Sequence, residues 1–146
     1  PIEQYLFSNL LIRIHVFMYL KDIIRVRGDI MEKYNIKKIY KMYDYPNEYL
    51  KVLELNLVNL DLWYFMSAEQ IEMRIRGMQE RYPRRKLIPF ARRDDCDDIA
   101  CFEVDKGNKV QIIHDFAESG WEQRDEYKCF WDWFRNAIEE LINEGE

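Results

Sequence analysis

The densest set of reactive side chains in the sequence is the run Asp94-Asp95-Cys96-Asp97-Asp98. Hard divalent cations take carboxylate oxygens, so this spacing raises the question of Ca²⁺ or Mg²⁺ binding. The EF-hand pattern needs a glycine at the sharp turn and a closing glutamate, and neither is present. A solvated acidic turn is therefore the expectation, with no metal and no cofactor assigned. The same four aspartates can present negative charge to a basic partner and steer its approach.

Zinc and nucleophilic chemistry are less well supported. Cys96, Cys101 and Cys129 with His114 lack the close ligand pairs of structural zinc sites. Cys101 falls in an apolar strand and Cys129 in the last helix, where a free thiol is ordinary core. His114-Asp115 could be a base with its orienting carboxylate, but adjacent strand residues point to opposite faces. No serine or cysteine nucleophile in a suitable motif accompanies them. His114 reads instead as a half-buried, hydrogen-bonded histidine, and the chain is expected not to be an enzyme.

Two further groups could bind rather than react. Arg81, Arg84, Arg85, Lys86, Arg92 and Arg93 form a basic cluster. A nucleic-acid surface would combine such a cluster with stacking aromatics, and the neighbouring aspartates are expected to neutralise it. Trp63, Trp121 and Trp133 are interface candidates, because exposed tryptophans anchor protein contacts. For Trp133, on the flank of an apolar stripe, packing at the core edge is the stronger alternative. Trp121 follows Gly120 in a loop and is the better candidate.

The elements that must position these residues follow from periodicity. Met31 to Tyr43 carries a helix signal, and Asp44-Tyr45-Pro46 breaks it and starts a second helix with Tyr49, Leu50, Leu53 and Leu57 in register. Leu60 to Phe65 (LDLWYF) reads as one strand. Ser67 with Gln70 makes a capping box, Met66 and Ile71 a hydrophobic staple, and Ile71, Ile75, Met78 and Tyr82 one apolar face before Pro83 stops the helix. Glu72, Arg76 and Glu80 line the opposite face at pairing distance.

Three strands follow, at Lys86 to Ala91, Asp98 to Val104 and Val110 to Phe116. Pro89 marks an edge or a bulge, and Asp105-Lys106-Gly107-Asn108 is a hairpin loop. A last helix carries Tyr127, Phe130, Trp131, Phe134, Ala137, Ile138, Leu141 and Ile142 at steps of three and four. The expected fold is α+β, a small antiparallel sheet covered on one side by helices.

At 146 residues the chain suits one domain, and 34% charged against 48% apolar residues is a globular mixture. Before Asp94 there are 17 Lys/Arg against 11 Asp/Glu, and from Asp94 on there are 5 against 16. An acidic second half disfavours nucleic acid and suits a basic protein partner. An odd number of cysteines without a CxxC pair fits a reducing cytosol.

Residues 1–30 stand apart. Gln4 to Ile24 is apolar nearly all round but interrupted by Arg13, His15, Lys21 and Asp22. That argues against a membrane span, and no signal-peptide pattern is visible. One reading is an extra helix packed on the core. The other is translated upstream sequence, with Met31 the true start and Arg27-Gly28 encoded by a ribosome-binding sequence. The single domain is accordingly placed at residues 31–146.

From Leu87-Ile88-Pro89-Phe90-Ala91 through the Asp-rich turn, Ile99-Ala100-Cys101-Phe102, Val110 to Asp115, Gly120-Trp121-Glu122 and Phe130 to Phe134, the chain resembles the SUKH superfamily. The branch is that of the fungal cell-wall-assembly regulators and their bacterial relatives. The likeness runs from about Tyr45 to Leu141, and Pro46-Asn47-Glu48-Tyr49-Leu50 is similar to the family's early proline-led helix. A family glycine pair before the first strand is replaced by Asn56-Leu57-Val58-Asn59. The resemblance implies a sheet with a protein-binding face and, in bacteria, an immunity protein that neutralises a polymorphic toxin, often a nuclease. A regulatory scaffold binding host proteins or a small ligand is the alternative. Asp94, Asp95, Asp97, Asp98, Trp121 and Glu122 are the expected partner contacts.

Overall fold

The computed structural model describes residues 2–34 and 43–144. After the helix α1 (Ile2–Lys33) come α2 (Asn47–Glu54), β1 (Asn59–Leu60), β2 (Trp63–Phe65) and α3 (Ala68–Arg81). Then follow β3 (Leu87–Arg93), β4 (Asp98–Glu103), β5 (Val110–His114), β6 (Gln123–Tyr127) and α4 (Phe130–Glu144). The six strands form one antiparallel sheet in the order β1-β2-β3-β4-β5-β6, each paired with its sequence neighbours. An α+β fold with an antiparallel sheet is thus present, as the strand order implied.

Cross-strand partners share a face, so the register sorts the residues. Ile88 pairs with Phe102, Ala100 with Ile112, and Phe65 with Ala91, and these line one face. There Phe90 and Phe102 stack at 4.4 Å, Trp133 of α4 meets Phe90 edge-on at 4.9 Å, and Phe130 meets Phe90 at 5.8 Å. Tyr49 of α2 closes the cluster against Phe65, Phe90, Phe102 and Phe130. Edge-on and offset rings avoid facing like quadrupoles while excluding water, which suits a short chain rich in aromatics.

The opposite parity, Leu87, Cys101, Gln111 and Ile113, is buried as well. That reverse face is covered by α3, which packs on β3. The one-sided cover expected from the sequence is thus supplied by α2 and α4, with α3 added behind. The start of α3 is as expected: Ser67 Oγ accepts from Gln70 N, Gln70 Oε1 accepts from Ser67 N, and Met66 and Ile71 are both buried. Pro89 sits where the β3–β4 register shifts, so it marks a bulge inside the sheet and not an edge.

Three expectations change. LDLWYF is not one strand but a tight hairpin, because Asp61 takes φ +64° and its N–H bonds the Asn59 side chain, reversing the chain. Gln123–Tyr127 is the edge strand β6, so Tyr127 belongs to that strand and not to the last helix, which starts at Phe130; four of the five strand residues are exposed, so no apolar alternation betrays it. Over Leu10 to Val26 the N-terminal helix is not packed on the core, though α1 contacts α2. The apolar side chains of that stretch are 45–68% exposed, although a helix apolar on every side is one that folding ordinarily buries. The helix signal at Met31 to Tyr43 continues α1 to Lys33, and residues 35–42 of it lie outside the described residues.

Candidate functional site

An antiparallel meander gathers alternate turns at one end. The β1–β2 turn at Asp61-Leu62, the β3–β4 turn at 94–97 and the β5–β6 connection at 115–122 all fall there. Backbone bonds tie them together: Asp94 N donates to Leu62 O at 2.9 Å, Asp115 N to Asp97 O at 2.9 Å, and His114 N to Glu122 O at 2.7 Å. The acidic turn and Trp121, far apart in sequence, therefore share one end of the sheet.

Within the acidic turn the aspartates differ in what they can offer. Asp94 and Asp97 are exposed, with no ion-pair partner among the described residues. Asp95 is held by Arg93 Nε and Nη2 at 2.7 and 2.8 Å, and those charged hydrogen bonds draw its carboxyl down to about 2. Asp98 is half-buried and bonds His114 Nδ1 at 2.7 Å, with Arg124 Nε at 3.8 Å. His114 is accordingly the half-buried, hydrogen-bonded residue expected, but its carboxylate is Asp98 across the β4–β5 ladder.

Trp121 is 80% exposed and follows Gly120, whose φ of +98° is open to glycine with little strain. Phe116, which the sequence reading placed at a strand end without singling it out, is 61% exposed and holds φ +67°. A bulky residue in that region is strained, and the surroundings must enforce it. Here Phe116 N donates to Asp115 Oδ1 at 2.9 Å and the Arg81 guanidinium lies 4.3 Å over its ring.

Glu122 does not belong to that surface. Its carboxylate turns inward, bonded by Gly120 N at 2.6 Å and by Arg85 Nη1 at 3.2 Å. Arg85 also forks onto Glu103 at 2.7 and 3.0 Å. Burial raises the Glu103 carboxyl, but Arg85 outweighs it, so Glu103 titrates below its ordinary range. For Glu122 burial acts likewise and is outweighed by its own and Gly120's N–H groups and by Arg85.

Trp63 and Trp133 also leave the interface set. They meet edge-on at 5.6 Å inside the core, and Trp63 Nε1 donates to Glu140 of α4 at 2.7 Å. Trp133 lies fully inside the core, beyond the edge position its flank suggested, because the Phe90 ring receives it.

Half of the basic cluster, Arg81, Arg85 and Arg93, is paired internally. Asp115, whose side chain is 0% exposed, takes Arg81 through Nε and Nη2 and Arg74 through Nη1, all within 2.8 Å. Arg85 takes Glu103 and Glu122, and Arg93 takes Asp95 and Glu140. The basic first part and acidic second part of the chain thus pair with each other across the fold. Asp115 was legible only as the neighbour of His114, since nothing in its local sequence points to arginines 34 and 41 residues away.

Cys96 is exposed, Cys101 buried and Cys129 half-buried, and among the described residues no group of three His, Cys, Asp or Glu side chains could hold a metal ion. No described helix is long and apolar enough to cross a membrane.

Fold and site together define an α+β meander whose loop end displays two aromatic rings among solvated carboxylates. Compared with known proteins, the chain matches no family model, no curated protein and no solved structure.

Proposed function

We propose that this chain is a non-catalytic protein-binding domain of the immunity type, SUKH-like, which occludes a basic toxin domain such as a nuclease in the cytoplasm. The observation that carries the reading is Trp121, 80% exposed at the same end of the sheet as the solvated Asp94 and Asp97. An exposed aromatic anchor at the same end of the sheet as carboxylates without an ion-pair partner supplies both an energetic centre and charge steering toward a basic surface. The absence of a catalytic role is supported by how the reactive groups are spent: Asp115 holds two arginines, His114 is tied to Asp98, and the Cys101 thiol is pushed well up by burial.

The test is affinity capture with the full chain and, in parallel, with a Trp121→Ala/Asp94→Lys/Asp97→Lys bait in lysate of the source cell. A stoichiometric partner bearing a toxin domain, recovered by the first bait and lost by the second, is the expected result. Equal recovery by both baits would remove the loop end from the contact. A partner with no toxin domain would favour the regulatory-scaffold alternative.

A further inference from the structure

The geometry points to a second binding site, an anion-binding cleft on the α3 side, built for a phosphate or carboxylate carried on a flat apolar group. The cleft encloses about 330 Å³, at the lower end of the range for small-molecule sites. Arg74, Arg81 and Arg92 line it, and no carboxylate does; Met66, Met73 and Phe116 supply the apolar wall.

The cations are pre-positioned and in excess. Asp115 orients both Arg74 and Arg81, yet one buried carboxylate balances only one of the two guanidiniums, each of which keeps about a quarter of its side chain open. Arg92 makes no ion pair among the described residues, lies 4.4 Å over the Tyr64 ring, and its buried Nε has no hydrogen-bond partner. A buried donor left unpaired is costly, which marks Arg92 as the guanidinium with spare hydrogen-bonding capacity. Asp94 and Asp97 lie with Arg74 and Arg92 around a smaller adjoining hollow, and Asp61 and Asp94 with Arg92 around a larger one. All three carboxylates are outside the lining of this cleft.

Two features shape the cleft. Gly77 lies inside α3, where glycine is less stable than alanine, but a Cβ there would stand 2.9 Å from Arg81 Nη1. Glycine lets that guanidinium lie flat against the helix. Phe116 is held at positive φ with its ring at the cleft mouth, over Arg81. The guanidinium fork suits the tetrahedral or planar oxygens of the anion, and the ring and methionines suit its apolar body.

The inference does not depend on the protein-binding reading, and its test needs no partner protein. Calorimetric titration of the full chain at physiological salt would use phenyl phosphate and hippurate, with inorganic phosphate as the reference. One-site binding by at least one aromatic anion, about tenfold or more tighter than inorganic phosphate, is expected. Whichever of the two binds tells phosphate from carboxylate as the source. Arg92→Ala should weaken that binding about tenfold or more. Met73→Glu, at a 66% exposed position on the rim, should do the same with unfolding unchanged, and decides the matter should Arg92→Ala fail to fold. Aromatic anions binding no better than inorganic phosphate, or binding undiminished in Met73→Glu, would overturn the site.

Discussion

The two faces of one sheet are closed by different chemistry. Beneath α2 and α4 the seal is a ring cluster, in which Phe90 touches Phe102, Phe130, Trp133 and Tyr49. Behind, toward α3, apolar packing gives way at the rim to two knots of charge, Asp115 with Arg74 and Arg81, and Arg85 with Glu103 and Glu122. Ring packing is short-ranged and additive, and it loses energy in proportion to the volume removed. A charge knot is close to neutral as a whole but costly when one member is missing, because the remainder is left desolvated and unbalanced. The two faces should therefore respond differently to the same kind of perturbation.

The largest effect is expected at Phe90→Ala, which opens a cavity among the four rings it touches and should cost about 3–5 kcal/mol, read from the urea midpoint. Removing one member of a knot should come next. Asp115→Ala is expected to cost about 3 kcal/mol, the low end for a broken buried pair, since both guanidiniums can turn partly to water. Replacing a whole knot should cost far less: the triple variant Arg85→Met/Glu103→Leu/Glu122→Leu is expected within about 1 kcal/mol of the parent or above it. If the triple variant falls as far as Asp115→Ala, the contrast between the faces is broken.

Acid sharpens the same contrast. Glu103 and Glu122 titrate lower in the folded chain than their ordinary value of 4.5. Their contribution is complete above that value and is lost as the pH falls through the lowered folded values. The urea midpoint of the parent should drop on going from neutral pH to about pH 3, and that of the triple variant should drop less. An equal drop in both would show that the Arg85 knot contributes nothing to acid sensitivity. The smallest effect on stability is expected at Trp121→Ala, within about 0.5 kcal/mol, because the ring is almost fully solvated. Its tryptophan emission should be that of an indole in water; a blue-shifted component lost in the variant would mean that Trp121 is covered.

How much of this could be read from residues alone differs by face. The ring face was legible, since Tyr49 and Leu53 repeat at helical spacing and Phe130, Phe134 and Ala137 at theirs. Even there Trp133 was placed on a flank, because a helical wheel does not say how deep a facing sheet opens. The knots were not legible. A basic cluster and an acidic half could be seen, but which arginine meets which carboxylate depends on strands brought together by register. Glu122 shows the cost of this: next to the exposed Trp121 in sequence, it points the other way, toward Arg85. The exposure of Asp94, Asp97 and Trp121 was legible, while Phe116 gave no local sign of its exposed ring or of its contact with Arg81.

Periodicity, capping and turn residues act over a few positions, so the sequence by itself determined the α+β class, the capped start of α3 and the exposed acidic turn. The tertiary structure alone decided the hairpin within LDLWYF, the edge strand β6, the solvent-exposed course of α1 and the meeting of three turns at one end of the sheet. It also decided the sharing of Asp115 between two arginines and the cleft they line. Those outcomes depend on pairing between residues distant along the chain, and that pairing is set by the sheet's register and the covering of its two faces, which no local window contains.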